Sequence, residues 1–570
     1  MKSAYLAVIL AVSVCAVTDA TVAKPPWPAD VPGYVAPKPG EHPRLLFREA
    51  DIPMLRERAK TPEGRAILKR LRRQLNGSDG ESVGAAGMWS MSHVAGFGFL
   101  YVITGDSKYA ELGKQAMEQS FAGAKRKEDT RYAFRGANGA LRAGPALGWG
   151  ALGYDLCYDG WDEAYRNKVR NALMNYNDGP NKSLAELVRG SRHGPQSNHW
   201  GMQIGGGAMA ILALMNDPGV DMDRINPLLE TSKECFLRKL TEGYGDGGYF
   251  TEGDGTGSMG HIAFLPAIQA WRVAGGKDFY TPRPNAQWTS LRWLLGTVVK
   301  TDGTILFHKR DGYPHNVWDR DGISGGNYFG IGFGIATPEQ KAAWLWFYNR
   351  HFKDRDLKAG TPCDTLSYYP HHSILSFVNF PFGTESANPA ECIPRASVDH
   401  TFSYCMFRNR WQDGNDIVIT FLGKRPRKHT KAQEIGPIWI TAFGTESKWG
   451  KMSGDIKHFR VTQDGSSVVA TSDGSCLAVD FSGASGADGM LVMTGPGAPR
   501  ENTVQAGGQA FSLKFLTASA PPKPKADGDV VRIGKQTVSF RDDKIVLGTF
   551  ADPWHGPSAR VADGIRNHSR

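Results

Sequence analysis

Ile103-Thr104-Gly105-Asp106-Ser107-Lys108-Tyr109 is a tight turn between two stretches whose apolar residues recur at helical spacing, together covering residues 94–117. Similar endings recur at Met215-Asn216-Asp217-Pro218 and at Ala274-Gly275-Gly276-Lys277-Asp278-Phe279. Helical spacing continues through residues 146–174, 201–215, 226–240 and 261–273, with short Gly/Asp/Pro turns between. Repeated helix, turn, helix units form a ring of hairpins, because each hairpin buries its apolar face only against its neighbours. Residues 24–385 therefore read as an α/α toroid, an incomplete helical barrel.

The texture changes once, across the Pro-rich passage 379–394. Beyond it come short alternating or β-rich runs at 402–407, 416–422, 435–443, 467–471, 491–494, 530–533, 537–540 and 544–547, separated by Gly, Asp and Ser clusters. Residues 386–570 read as an antiparallel β-sandwich, with 523–529 as a loop inside it.

Compartment follows from the first residues. Lys2, an apolar run over residues 5–17 and small residues at 18–23 make a secretory leader, so residues 1–23 are expected to be removed and the protein exported, periplasmic or secreted. The run is too short to span a bilayer, and no membrane insertion is expected. Removing Lys2 and Asp19 takes one of 67 basic and one of 57 acidic residues, so the mature chain keeps its formal charge of +10. That balance favours polyanions. Export, and the lack of any basic run longer than the cluster at 424–428, argue against nucleic acid. Six scattered cysteines remain, without C-x-x-C pairs, so no thiolate metal site is expected; Cys392 with Cys405 is a candidate disulfide.

His42-Pro43-Arg44-Leu45-Leu46-Phe47 followed by Asp51 and Leu55, the pair Asn198-His199, Asp246-Gly247 with Glu252, and the segment 429–436 resemble the heparinase II/III-like polysaccharide lyases, a superfamily that includes alginate, glucuronan and heparan lyases. The resemblance implies a helical toroid before a β-sandwich and a β-elimination on an acidic polysaccharide. It also implies a tyrosine that moves a proton, and a sandwich face, here carrying His429, that borders the cleft.

The chemistry has definite requirements. Removing the C5 proton of a uronate puts a second negative charge beside its carboxylate, which the enzyme must hydrogen-bond or neutralise. Asn198 suits that role, since an amide donates without titrating. His199 suits proton transfer, since imidazole titrates near neutrality. The family's tyrosine position is vacant here: Gly253 to His261 contains none. Tyr249 is the first candidate in its place and Tyr313 the second, with His261 a lower-ranked catalytic candidate. Trp200, Glu252, His308, Arg310, Tyr313 and His429 are the substrate-binding candidates; Arg310 offers a two-pronged grip on a carboxylate. No cofactor is required, and the Glu252-Gly253-Asp254-Gly255 run lacks the later ligands of a calcium loop.

Each residue also has an architectural alternative. Asn198 is an N-cap for the apolar run that follows, His199 a helix-surface imidazole, Tyr249 a core aromatic, Glu252 a brace for its loop. Other functions also fit the residue types: a glycoside hydrolase using Glu252 with Asp254 or Asp246, a C5 epimerase, or a non-catalytic binder of acidic glycans.

Overall fold

The computed structural model describes residues 27–76, 84–125, 132–299, 305–307, 328–351, 353–354, 369–393, 395–423 and 437–451, with separate strands between 456 and 547. The leader-like residues 1–23 and the candidates His308, Arg310, Tyr313 and His429 lie outside the described residues.

Helices α1 (Ile52–Arg58) and α2 (Pro62–Gln74) lead into α3 (Met91–Thr104). α3 ends on Gly105, left-handed at φ 74°, and Asp106 caps α4 (Ser107–Phe121) through the Lys108 N–H, so the quoted stretch is the hairpin turn expected. The chain continues through α5 (Ala140–Cys157), α6 (Glu163–Met174), α7 (Leu184–Arg189), α8 (Asn198–Leu214), α9 (Met222–Glu242), α10 (Asp254–Val273), α11 (Pro284–Leu295), α12 (Tyr328–Ile335), α13 (Pro338–His351) and α14 (Pro370–Asn379). α3, α5, α8 and α10 pack side by side, α12 follows α10, and α14 returns onto α12, α2 and α3.

Glycine sets the spacing of this inner ring. A Cβ at Gly206 of α8 would lie 1.7 Å from the Gly144 carbonyl of α5, at Gly205 2.4 Å from Ala263 of α10, and at Gly207 2.8 Å from Val188 of α7. The run Gly205-Gly206-Gly207 thus lets three helices approach one. Met91 meets Gly150, Val94 meets Gly153, and Gly144 and Gly148 meet Met202 and Gly206, so α3, α5 and α8 run parallel. Their N-terminal ends point the same way.

The amino-terminal segment is fastened by a buried network. His42 sits between Asp155 at 2.6 Å and Asp217 at 3.0 Å, while Arg44 binds Asp217 at 2.7 Å and the Arg44 and Leu45 N–H groups donate to Asp155. Burial pulls the His42 imidazole down, but the hydrogen bonds and charges of the two aspartates outweigh it and hold it above its ordinary value. Burial pushes Asp217 up, and His42, Arg44 and the Tyr154 hydroxyl bring it below the usual carboxylate range. The His42-Pro43-Arg44 motif therefore ties the entering chain to α5 and to the turn after α8.

Two short pairings accompany the helices: β1 (Ala29–Asp30) with β2 (Lys277–Asp278), and β3 (Thr297–Val299) with β4 (Ile305–Phe307). β5 (Ala396–Asp399), β6 (Tyr404–Arg408), β7 (Val418–Leu422), β8 (Pro437–Ala442) and β9 (Thr445–Lys451) then form an antiparallel meander. Alternate residues point to opposite faces. Tyr404, Met406, Val418 and Leu422 join Tyr249, Trp288, Leu291 and Leu294 of the helical domain, whereas Val398, Cys405, Phe407, Ile419 and Ile440 pack with Ile456 at the start of the next sheet. That sheet is antiparallel with six strands, β10 (Ile456–Val461), β11 (Ser467–Thr471), β12 (Cys476–Asp480), β13 (Gly489–Thr494), β14 (Thr503–Ala506) and β15 (Gln509–Thr517), with β15 between β13 and β14. A four-stranded sheet follows: β16 (Lys525–Asp527), β17 (Val530–Ile533), β18 (Gln536–Arg541) and β19 (Lys544–Leu547).

One expectation is corrected. Lys525–Asp527, read as loop, pairs antiparallel with β17; the short segment took its strand from its neighbour. Cys405 is buried inside β6, and the side chain of its candidate partner Cys392 lies outside the described residues.

Candidate active site

α8 is apolar on every side. Of its 17 residues all are buried except His199, which is partly open. Ser197 is the N-cap and accepts the His199 N–H at 3.3 Å, so Asn198 is the first helical residue and not the cap. Asn198 is 6 % exposed, and its side-chain amide makes no hydrogen bond among the described residues. The His199 ring lies 4.5 Å from that of His193, an exposed imidazole that the sequence reading did not single out. The Asn198 amide and two imidazoles thus gather at the N-terminal end of an inner helix, where the backbone dipole favours an anion.

The backbone just before this site is gripped residue by residue. Lys239 of α9, 1 % exposed, donates to the Pro195 and Ser197 carbonyls, both at 2.9 Å, and lies 4.2 Å from the centre of the Phe250 ring. The Thr251 hydroxyl donates to the Gln196 carbonyl at 2.7 Å. The Glu252 carboxylate, 3 % exposed, accepts the Asn198 N–H at 2.8 Å. Glu252 therefore braces α8 from within. Lys239 also escaped the sequence reading, since a lysine in an amphipathic helix ordinarily faces water.

Two candidates belong to the packing. Trp200 is 1 % exposed, and its indole N–H donates to the Gly190 carbonyl at 2.7 Å. It secures the chain between α7 and α8. Tyr249 is fully enclosed, its ring stacked 4.4 Å from that of Tyr404, with the Arg292 guanidinium 5.2 Å from its centre. The ring packs against the sheet domain through Tyr404. His261 falls within α10, but its side chain lies outside the described residues.

The Asp246-Gly247 motif serves the same junction. Asp246 accepts the Thr401 N–H at 3.1 Å, and Asp399 accepts the Gly247 and Tyr249 N–H groups, each at 3.0 Å. Burial, then the neighbouring Asp246 charge, push the Asp399 carboxyl well above the ordinary range. A Cβ at Gly247 would lie 2.1 Å from the Val398 carbonyl, and Gly248 has φ 77°, so this turn seats against β5 only as glycine.

Among the described residues no group of three or more His, Cys, Asp or Glu is placed to hold a metal ion, and no helix is long and apolar enough to cross a membrane.

No protein-family model and no curated protein matches the chain. Among solved structures it aligns with a mutant heparan sulfate lyase from Pedobacter heparinus at 10% identity and a TM-score of 0.37, over 80% of this chain and 81% of that one. It also aligns with a heparinase III gene product with methylated lysines (10% identity, TM-score 0.40, 80% and 83% covered) and with heparinase III (10%, 0.35, 80% and 82%).

Proposed function

We propose that this chain is an exported polysaccharide lyase that cleaves a uronic-acid polymer by β-elimination. The observation that carries the reading is the Asn198 amide, unengaged among the described residues, beside His199, the one residue of α8 that is not buried. Asn198 hydrogen-bonds the uronate carboxylate and stabilises the charge that builds when C5 loses its proton. His199, with its ring against His193, is the group that exchanges protons with the sugar. Tyr249 is assigned to the domain junction, because its ring is enclosed by Tyr404 and Arg292.

The glycosidase alternative is less well supported. Two of its carboxylates are occupied by backbone donors, Glu252 by Asn198 and Asp246 by Thr401, while the side chain of Asp254 lies outside the described residues. Alginate or glucuronan is favoured over a sulfated glycosaminoglycan, because among the described residues the cations near Asn198 form no cluster: Arg192 is exposed, Arg238 lies over the Trp200 ring, and Lys239 is buried and committed to carbonyls, while Lys309 and Arg310 lie outside the described residues.

The test is ultraviolet absorbance on a panel of alginate, polyglucuronate, pectate, hyaluronan, chondroitin and heparan. The reading expects an unsaturated product from alginate or polyglucuronate, abolished in Asn198→Ala. Turnover of heparan alone would overturn the substrate preference, and absence of unsaturation on every polymer would overturn the lyase.

A further inference from the structure

Ser197 and Asn198 share one peptide unit, and both of its polar ends are taken by buried charged groups. Its carbonyl accepts from Lys239 at 2.9 Å; its N–H donates to Glu252 at 2.8 Å. We propose that Lys239 and Glu252 are a pair of positioning residues that fix this peptide, and through it the Asn198 amide and the His199 ring, in the geometry the reaction needs. The inference rests on the lyase reading for its kinetic consequence and on geometry alone for the clamp.

Several observations converge. A cation and an anion buried to 1 % and 3 % exposure are costly unless compensated, and here each polarises the same amide from opposite ends, so their charges reinforce one hydrogen-bonded chain. Lys239 reaches back to Pro195 as well, and Thr251 takes the carbonyl between, at Gln196. Three successive carbonyls and the following N–H are thus fixed by α9 and the turn after it. A Cβ at Gly243 would lie 2.4 Å from the Pro195 carbonyl, so the end of α9 approaches this segment as closely as glycine allows. A helix that only needed a cap already has one in Ser197.

The test compares Lys239→Met, which keeps the apolar stem and removes the charge, with Lys239→Arg, using kcat, KM and the NMR titration of the His199 ring in the full chain. Misplacing a reacting group by about 1 Å costs about 100-fold in rate, so Lys239→Met is expected to lose kcat on that scale with KM little changed, Lys239→Arg to recover part of it, and the His199 titration midpoint to move. Unchanged kcat per folded molecule with an unmoved His199 midpoint would overturn the clamp. Should Lys239→Met fail to fold, Thr251→Val, which removes the Gln196 link alone, must show the same kcat loss and midpoint shift at smaller amplitude. Should the wild type turn over no polymer, the lyase reading falls, while the His199 midpoint still decides the clamp.

Discussion

Lys239 and Glu252, thirteen positions apart in sequence, hold opposite ends of the Ser197–Asn198 peptide, the ammonium at its carbonyl and the carboxylate at its N–H. The stretch from Asp246 to Glu252 thereby serves two neighbours. Its first residues seat the helical domain on β5, and its last two hold the segment that opens α8.

Glu252→Ala leaves the buried Asn198 N–H without a partner, a loss worth about 1–3 kcal/mol. Glu252→Gln keeps an acceptor oxygen at that N–H. The lyase account therefore expects Glu252→Gln to retain measurable turnover and Glu252→Ala to lose both stability and activity. Denaturant melts beside rate measurements check this; complete inactivity of a well-folded Glu252→Gln would favour the glycosidase.

Tyr249→Phe is expected to keep kcat within about tenfold, equivalent to about 1.4 kcal/mol of barrier, since the ring serves packing against Tyr404. Tyr249→Ala empties a fully enclosed site and is expected to cost about 3–5 kcal/mol. Inactivity of a stable Tyr249→Phe protein would restore the tyrosine to the chemistry.

Gly206→Ala places a methyl 1.7 Å from the Gly144 carbonyl, a backbone atom that moves only if α5 and α8 separate. We expect a loss of about 3 kcal/mol, the upper part of the overpacking range. A melting temperature equal to wild type would refute the close approach of these helices.

The His42 network sets a pH window. His42 is held above its unfolded value, so its contribution is full below an unfolded value near 6.5 and is lost as pH rises through the folded one. Asp217 is held below its unfolded value, so its contribution is present above the ordinary carboxylate range and is lost as pH falls through the folded one. Removing one member of a buried pair costs about 3–5 kcal/mol. The stability gap between wild type and His42→Ala should therefore be widest in mildly acidic solution and shrink toward alkaline pH; unfolding curves at several pH values measure it, and a constant gap would contradict the charged network.

Hairpin turns such as that at Gly105 were legible because a left-handed glycine and a capping aspartate are local signals. The side each aromatic faces was not. In α8 both flanks are covered, so periodicity gave no outer face, and Trp200, read as a cleft residue, is buried with its indole on the Gly190 carbonyl. Asn198 and His199 could be named from residue chemistry; their partners could not. Lys239 and His193 join the site only through folding, and β9, with its polar Thr445-Glu446-Ser447-Lys448 start, is a strand because β8 pairs with it.

The central claim is bond cleavage by elimination at the Asn198 end of α8, and the most direct test is cleavage of the responsive uronate polymer in water enriched in heavy oxygen. β-Elimination predicts unsaturated fragments with no heavy oxygen incorporated at the broken linkage, formed by the wild type and absent with Asn198→Ala. Saturated fragments carrying one heavy oxygen per cleavage, formed equally by both proteins, would contradict the account.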